Sequence, residues 1–123
     1  MTTATDTRES LSAALKTSTA EAHDKAEHSV FMDDLLAGKL SVADFIALQE
    51  QSWLFYSALE DAARAVADHP LASGIVDPAL ERVNALEHDL DHLHGSTEWR
   101  TTVTPLPATA EYIARLNDIE ATK

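Results

Sequence analysis

Apolar residues recur along this chain at three- and four-residue steps, the period of a helix face, and no useful length shows the strict alternation of a half-buried strand. Leu11, Leu15, Ala22 and Ala26 mark one side of a first helix over about Ser10 to Glu27. Phe31-Met32 and Leu35-Leu36 form a short second segment, Val30 to Ala37, which Gly38 stops. Ser41 reads as an N-cap, with Asp44 three residues on in the capping-box position. The long third helix that follows runs to about Asp68 and carries Val42, Phe45, Ile46, Gln49, Trp53, Tyr56 and Leu59 on one broad stripe. Asp77-Pro78 predicts the start of a fourth helix, with Pro in its first turn, the stripe Val83, Leu86, Leu90, Leu93, and Gly95 as its stop. A last helix spans Ala108 to Glu120 and groups Tyr112, Ile113, Leu116 and Ile119. The fold class is therefore all-α, a multi-helical bundle. At 123 residues the chain is one domain, 1–123, with a disordered start over 1–9.

Trp53, Leu54, Phe55 and Tyr56 are consecutive and point to all sides of the third helix, which asks for neighbours, or an apolar ligand, on more than one side. The final helix lacks a Gly stop before the chain ends at Lys123, so something further is expected to pack here.

Charge and composition narrow the class of function. Nine Lys+Arg against 21 Asp+Glu leave a formal net charge of −12, which excludes a nucleic-acid binder and adhesion to an anionic membrane surface. No stretch approaches the roughly 18 apolar residues that a membrane span needs. The first nine residues lack the apolar core of a signal peptide. Absence of Cys rules out thiolate chemistry and disulfides, and agrees with a cytoplasmic setting.

The informative stripe lies on the first helix. Lys16, Ala20, His23 and Glu27 follow one another at steps of four, three and four residues and share a face. Glu27 can accept a hydrogen bond from one imidazole nitrogen of His23, leaving the other as a lone-pair donor to a metal. Ala20 keeps the approach open, and Lys16 stands where a flat anionic ligand could place an acidic group. A solvated face with ordinary surface charges is the commoner outcome of a single His–Glu pair at this spacing. His28 lies roughly 140° around the helix from His23, so the two cannot chelate one ion together. His88 and His92 make an H-x-x-x-H pair, but Asp89 stands where a zincin needs Glu, and a solvated face is the better reading. His69 and His94 read as helix-end residues. Tyr56 is an aromatic core residue whose hydroxyl needs a partner.

The run Leu15-Lys16-Thr17-Ser18-Thr19-Ala20-Glu21-Ala22-His23-Asp24-Lys25-Ala26-Glu27 resembles the proximal helix of the heme oxygenases, nearest to bacterial members. The likeness continues through Phe31-Met32-Asp33-Asp34-Leu35-Leu36-Ala37-Gly38, through the stretch Gln49 to Glu60, and through Glu111-Tyr112-Ile113-Ala114-Arg115-Leu116, four blocks in order. It implies a heme oxygenase-like bundle with heme as both substrate and cofactor. It further implies oxidative cleavage to biliverdin, CO and Fe2+ using O2 and electrons from a reductase. His23 matches the proximal iron ligand, Glu27 the carboxylate that hydrogen-bonds it, Lys16 a basic partner of a heme propionate, and Tyr56 a tyrosine of the distal hydrogen-bond network. The resemblance is to the N-terminal part of the family domain. The Gly-rich distal helix has no counterpart here, so the expectation is a truncated, incomplete bundle. A non-catalytic heme carrier and a plain helical interaction domain remain as alternatives.

Overall fold

The computed structural model describes residues 8–122, all helix, turn and loop, with no strand among them. The helices are α1 (Leu11–Glu27), α2 (Val30–Leu36), α3 (Val42–Ala65), α4 (Val83–His94) and α5 (Pro107–Ala121). Single 3₁₀ turns stand at Pro78–Leu80 and Glu98–Thr101. The disordered start expected for 1–9 falls outside the described residues except for Arg8 and Glu9, which are exposed and irregular. Packing divides the chain into two compact units, one up to Leu40 and one from Ser41.

In the first unit, serines set the helix boundaries. Ser10 caps α1 by accepting from the Ala13 amide at 3.2 Å. Ser29 does two jobs: its hydroxyl donates to the Ala26 carbonyl at 2.9 Å and accepts from the Met32 amide at 3.2 Å, closing α1 and opening α2. Gly38 adopts φ +70°, a left-handed stop that a side chain would strain. Neither helix buries a residue. Leu11 and Leu15, expected on the packed side of α1, are 77% and 56% exposed.

The second unit holds the core. Ser41 and Asp44 form the expected capping box: Ser41 Oγ accepts from the Asp44 amide at 3.2 Å and Asp44 Oδ2 from the Ser41 amide at 3.0 Å. α3 packs against both α4 and α5. Ala62, Leu86, Leu90, Trp99 and Leu116 form the buried apolar set. Two tryptophans cross edge to face, Trp53 and Trp99, with ring centres 4.9 Å apart, and Phe55 meets Tyr112 at 5.8 Å. Phe55 and Tyr56 also stack on each other at 4.9 Å, so the crowded aromatic run of α3 finds ring neighbours on several sides.

α3 also supplies side-chain caps for both later helices. The Glu60 carboxylate, 6% exposed, accepts from the Arg82 and Val83 amides at 2.9 and 3.2 Å and so satisfies the start of α4, where Arg82 offers no side-chain cap of its own. Gln51 donates to the Thr104 carbonyl and accepts from the Leu106 amide, each at 3.0 Å, fixing the entry to α5. The two caps lie nine residues apart, about 180° around α3.

Two boundaries differ from the sequence expectation. Pro78 opens a single 3₁₀ turn, capped by Asp77, and α4 begins only at Val83, because Glu60 draws the Arg82 and Val83 amides away from a continuous helix. α3 ends at Ala65 rather than Asp68, three residues early. The chain then steps down in short turns towards His69-Pro70, where Pro disfavours helical backbone at the preceding residue.

Candidate functional site

Of the four residues singled out, three stand on α1 and one on α3. His23 and Glu27 are one turn apart, with Nδ1 to Oε2 at 3.5 Å and side chains 75% and 54% exposed. That separation is slightly longer than a hydrogen bond, and both side chains are free to close it. Nδ1 lies on the Glu27 side, and the other ring nitrogen, Nε2, has no partner among the described residues. Glu27 is the last residue of α1, where the helix dipole presents its negative end. A carboxylate there is unfavourable to the helix alone. Lys16 lies two turns earlier, about 10 Å along the axis, exposed and without an ion pair among the described residues.

Tyr56 sits in the second unit, half-buried, with its ring against Phe55. Its hydroxyl makes no hydrogen bond among the described residues and is not a buried orphan, so the partner expected from sequence is not required. It lines a groove of about 570 Å³ between the end of α3 and the segment 75–81.

The other histidines fall as follows. His88 and His92 are exposed on α4. His94 closes α4, pairs through Nε2 with Glu50 Oε1 at 2.9 Å and stacks over Trp99 at 6.1 Å. His69 is not at a helix end: it stands four residues beyond α3, where its Nδ1 accepts from the Leu71 amide at 3.1 Å. Asp24, Glu27 and His28 each bring one donor atom within 4.8 Å of the others on the exposed end of α1.

Sequence reasoning missed the polar support of the tryptophans. Trp99 Nε1 donates to Asp91 Oδ1 at 2.8 Å, Trp53 Nε1 to Glu87 Oε1 at 3.2 Å, and Arg100 reaches Asp91 Oδ2 at 2.9 Å while lying 5.4 Å over the Trp99 ring. The four-residue spacing of Glu87 and Asp91 on one side of α4, opposite two tryptophans that each need an acceptor, was the signal available.

A model of the heme oxygenase family matches residues 9–123. Heme oxygenase 1 of Gallus gallus is 35% identical over 108 residues, 87% of this chain and 36% of that protein. Heme oxygenase 1 of Nostoc sp. is 31% identical and covers 89% of this chain and 45% of its own length. Among solved structures, heme oxygenase-1 from the cyanobacterium Synechocystis sp. in complex with heme superposes with a TM-score of 0.79 at 32% identity, covering 88% of this chain and 48% of that one. The chain thus spans about half or less of the length of the relatives it matches. With the family model matching nearly the whole chain, and with the fold shared at the same order of identity, this chain belongs to the heme oxygenase family.

Proposed function

We propose that this chain binds heme through His23 and serves the oxidative cleavage of heme to biliverdin, CO and Fe2+. The observation that carries the reading is the exposed His23–Glu27 pair, 3.5 Å apart on a helix that buries none of its own residues. The donor set fits the group. One imidazole nitrogen is open, the other has a carboxylate within reach, and an unpaired ammonium stands two turns away on the same face. Bound heme supplies the iron that activates O2 and is itself the molecule oxidised.

The chain's own residues then divide the work. His23 would hold the heme iron through its open ring nitrogen. Glu27 accepts from the Nδ1–H, which fixes the tautomer and the ring plane. Lys16 would pair its ammonium with a propionate carboxylate of the bound group. Tyr56, on the second unit, would offer its phenol to the hydrogen-bond network that supplies protons to the reaction. Electrons come from a separate reductase. A cytoplasmic setting belongs to the same proposal. Among the described residues, no helix is long and apolar enough to cross a membrane.

The test is a hemin titration of the chain and of His23→Ala side by side, followed by reductant in air. Saturable binding that weakens by at least about tenfold in the variant, the scale of one lost ligand bond, is the expected result. Biliverdin absorbance growing as the heme band decays then supports turnover. Equal binding by both chains overturns His23 as the anchor. Saturable binding with no biliverdin overturns turnover and leaves a heme carrier.

A further inference from the structure

The His23–Glu27 pair depends on backbone that neither side chain holds. Glu27 is the last residue of α1, and the carbonyls of a helix's last turn have no partners within the helix. Such a turn frays unless something beyond it takes hold. Here Ser29 does so twice: its amide donates to the Ala26 carbonyl at 3.3 Å, and its hydroxyl donates to the same oxygen at 2.9 Å. That hydroxyl also accepts from the Met32 amide at 3.2 Å, so one side-chain oxygen ties the end of α1 to the start of α2. Ser29 is half-buried, whereas every residue of 15–28 is exposed, so water competes less well for its bonds than for any made further back along the helix.

Glu27 has a choice of partners. His23 Nδ1 lies 3.5 Å from its Oε2, while Asp24 and His28 each hold an atom within 4.8 Å of its carboxylate. Asp24 repels that carboxylate and His28 competes for it. Residues four apart face each other only while the turn between them is helical, and adjacent residues point apart in the same turn. A held last turn therefore favours His23, and a frayed one releases Glu27 to its neighbour. From this arrangement we infer that Ser29 is a positioning residue, which keeps the Glu27 carboxylate on His23 Nδ1 by holding the last turn of α1. The proton is thereby kept on Nδ1, and the lone pair on Nε2. The inference rests on the reading of His23 as the heme ligand and extends it to the residue that prepares that ligand before heme arrives.

The test reads His23 directly, in the full chain without hemin. Nitrogen-15 NMR at alkaline pH, where imidazole is neutral, separates the Nδ1–H and Nε2–H forms of the ring. Glu27→Ala lowers the ratio of Nδ1–H to Nε2–H by about threefold, and Ser29→Ala by about twofold, on the scale of one exposed hydrogen bond. Ser29→Thr keeps the hydroxyl and restores the ratio of the parent. Ser29→Gly lacks the hydroxyl but suits a helix start, so it shifts the ratio like Ser29→Ala while sparing α2, and it decides the matter should Ser29→Ala lose its helices. A ratio that Glu27→Ala moves and neither Ser29→Ala nor Ser29→Gly moves overturns the inference and leaves Ser29 a plain helix cap. A ratio untouched by Glu27→Ala overturns it too, since there is then no pairing to hold. Hemin affinity is the second readout, about threefold weaker in Ser29→Ala and recovered in Ser29→Thr, against about tenfold or more for His23→Ala. Tautomer shifts as expected, with hemin binding equal in every variant including His23→Ala, uphold the hold of Ser29 on Glu27 and overturn the heme reading instead.

Discussion

The two units of this chain are built on opposite principles. From Ser41 onwards, α3 buries Ala62 and Glu60, caps two other helices with Glu60 and Gln51, and packs Trp53 onto a Trp99 that is 3% exposed. Up to Leu40, α1 and α2 bury nothing, and their order rests on serine caps and a left-handed glycine. Short helices held by local bonds alone are marginal in water, since most helical stability comes from packing an apolar face. α1 leaves Leu11, Leu15 and His23 open. The difference teaches where to look: the second unit spends its chemistry on holding itself together, and the first presents its chemistry outward.

The sharpest way to break that contrast is in the core. Trp99→Ala removes a buried ring, its bond to Asp91 and its contact with Trp53, at a cost of about 3–5 kcal/mol. On a domain with a total stability of about 5–15 kcal/mol, that leaves little. Leu15→Ala on α1, exposed and unpacked, costs about 0.5 kcal/mol or less. Urea unfolding of both variants checks the pair; equal losses would mean that α1 is as deeply packed as the core.

Heme itself is the next lever. At a hundredfold excess over its Kd, a ligand that binds only the folded state contributes about 2.7 kcal/mol. Hydrogen exchange should show that protection appearing over 11–27 when hemin is added, with much smaller changes in α4 and α5. Protection spread evenly over both units would remove the distinction between a self-sufficient part and a ligand-completed one.

Smaller still is the loss of the cap that α3 lends to α4. Glu60→Ala strands the Arg82 and Val83 amides in a half-buried setting, costing about 1–3 kcal/mol, and the fraying should be confined to the first turn of α4. An unchanged melting temperature would show that water replaces the carboxylate at no loss.

How much of this was legible beforehand follows the range of the interactions. The Ser41–Asp44 capping box, the Gly95 stop and the Leu86/Leu90 stripe are local patterns, and each was read from spacing alone. The 3₁₀ turn at Pro78 and the late start of α4 depend on Glu60, some 22 residues away in sequence, and no local rule contains that partner. Gln51 reaches 53 and 55 residues to fix the entry to α5 in the same hidden way. The α1 face was legible because Lys16, His23 and Glu27 lie on one helix at four- and three-residue steps. Tyr56 was not fully legible: its aromatic character was plain, but the groove it lines is made by residues 75–81 folding back beside α3.

The smallest effect is the response to acid, and it also belongs to the second unit. Backbone and hydroxyl bonds from Ser41 hold the Asp44 carboxyl below its ordinary value of 3.8, and Arg64 holds Glu81 below its ordinary 4.5. A carboxyl whose pKa is lower folded than unfolded contributes stability at pH above the unfolded value, and the contribution is lost as pH falls through the folded one. Urea midpoints should therefore stay level, as far as these two groups are concerned, from neutral pH down to the ordinary carboxylate range, and decline only below it. Both side chains lie near solvent, so salt and water screen the effect and the decline from each is shallow. Asp44→Asn and Glu81→Gln should each flatten that acid limb while leaving hemin binding untouched, since neither group stands on α1. A limb as steep in the double variant as in the parent would transfer the acid response to other carboxylates.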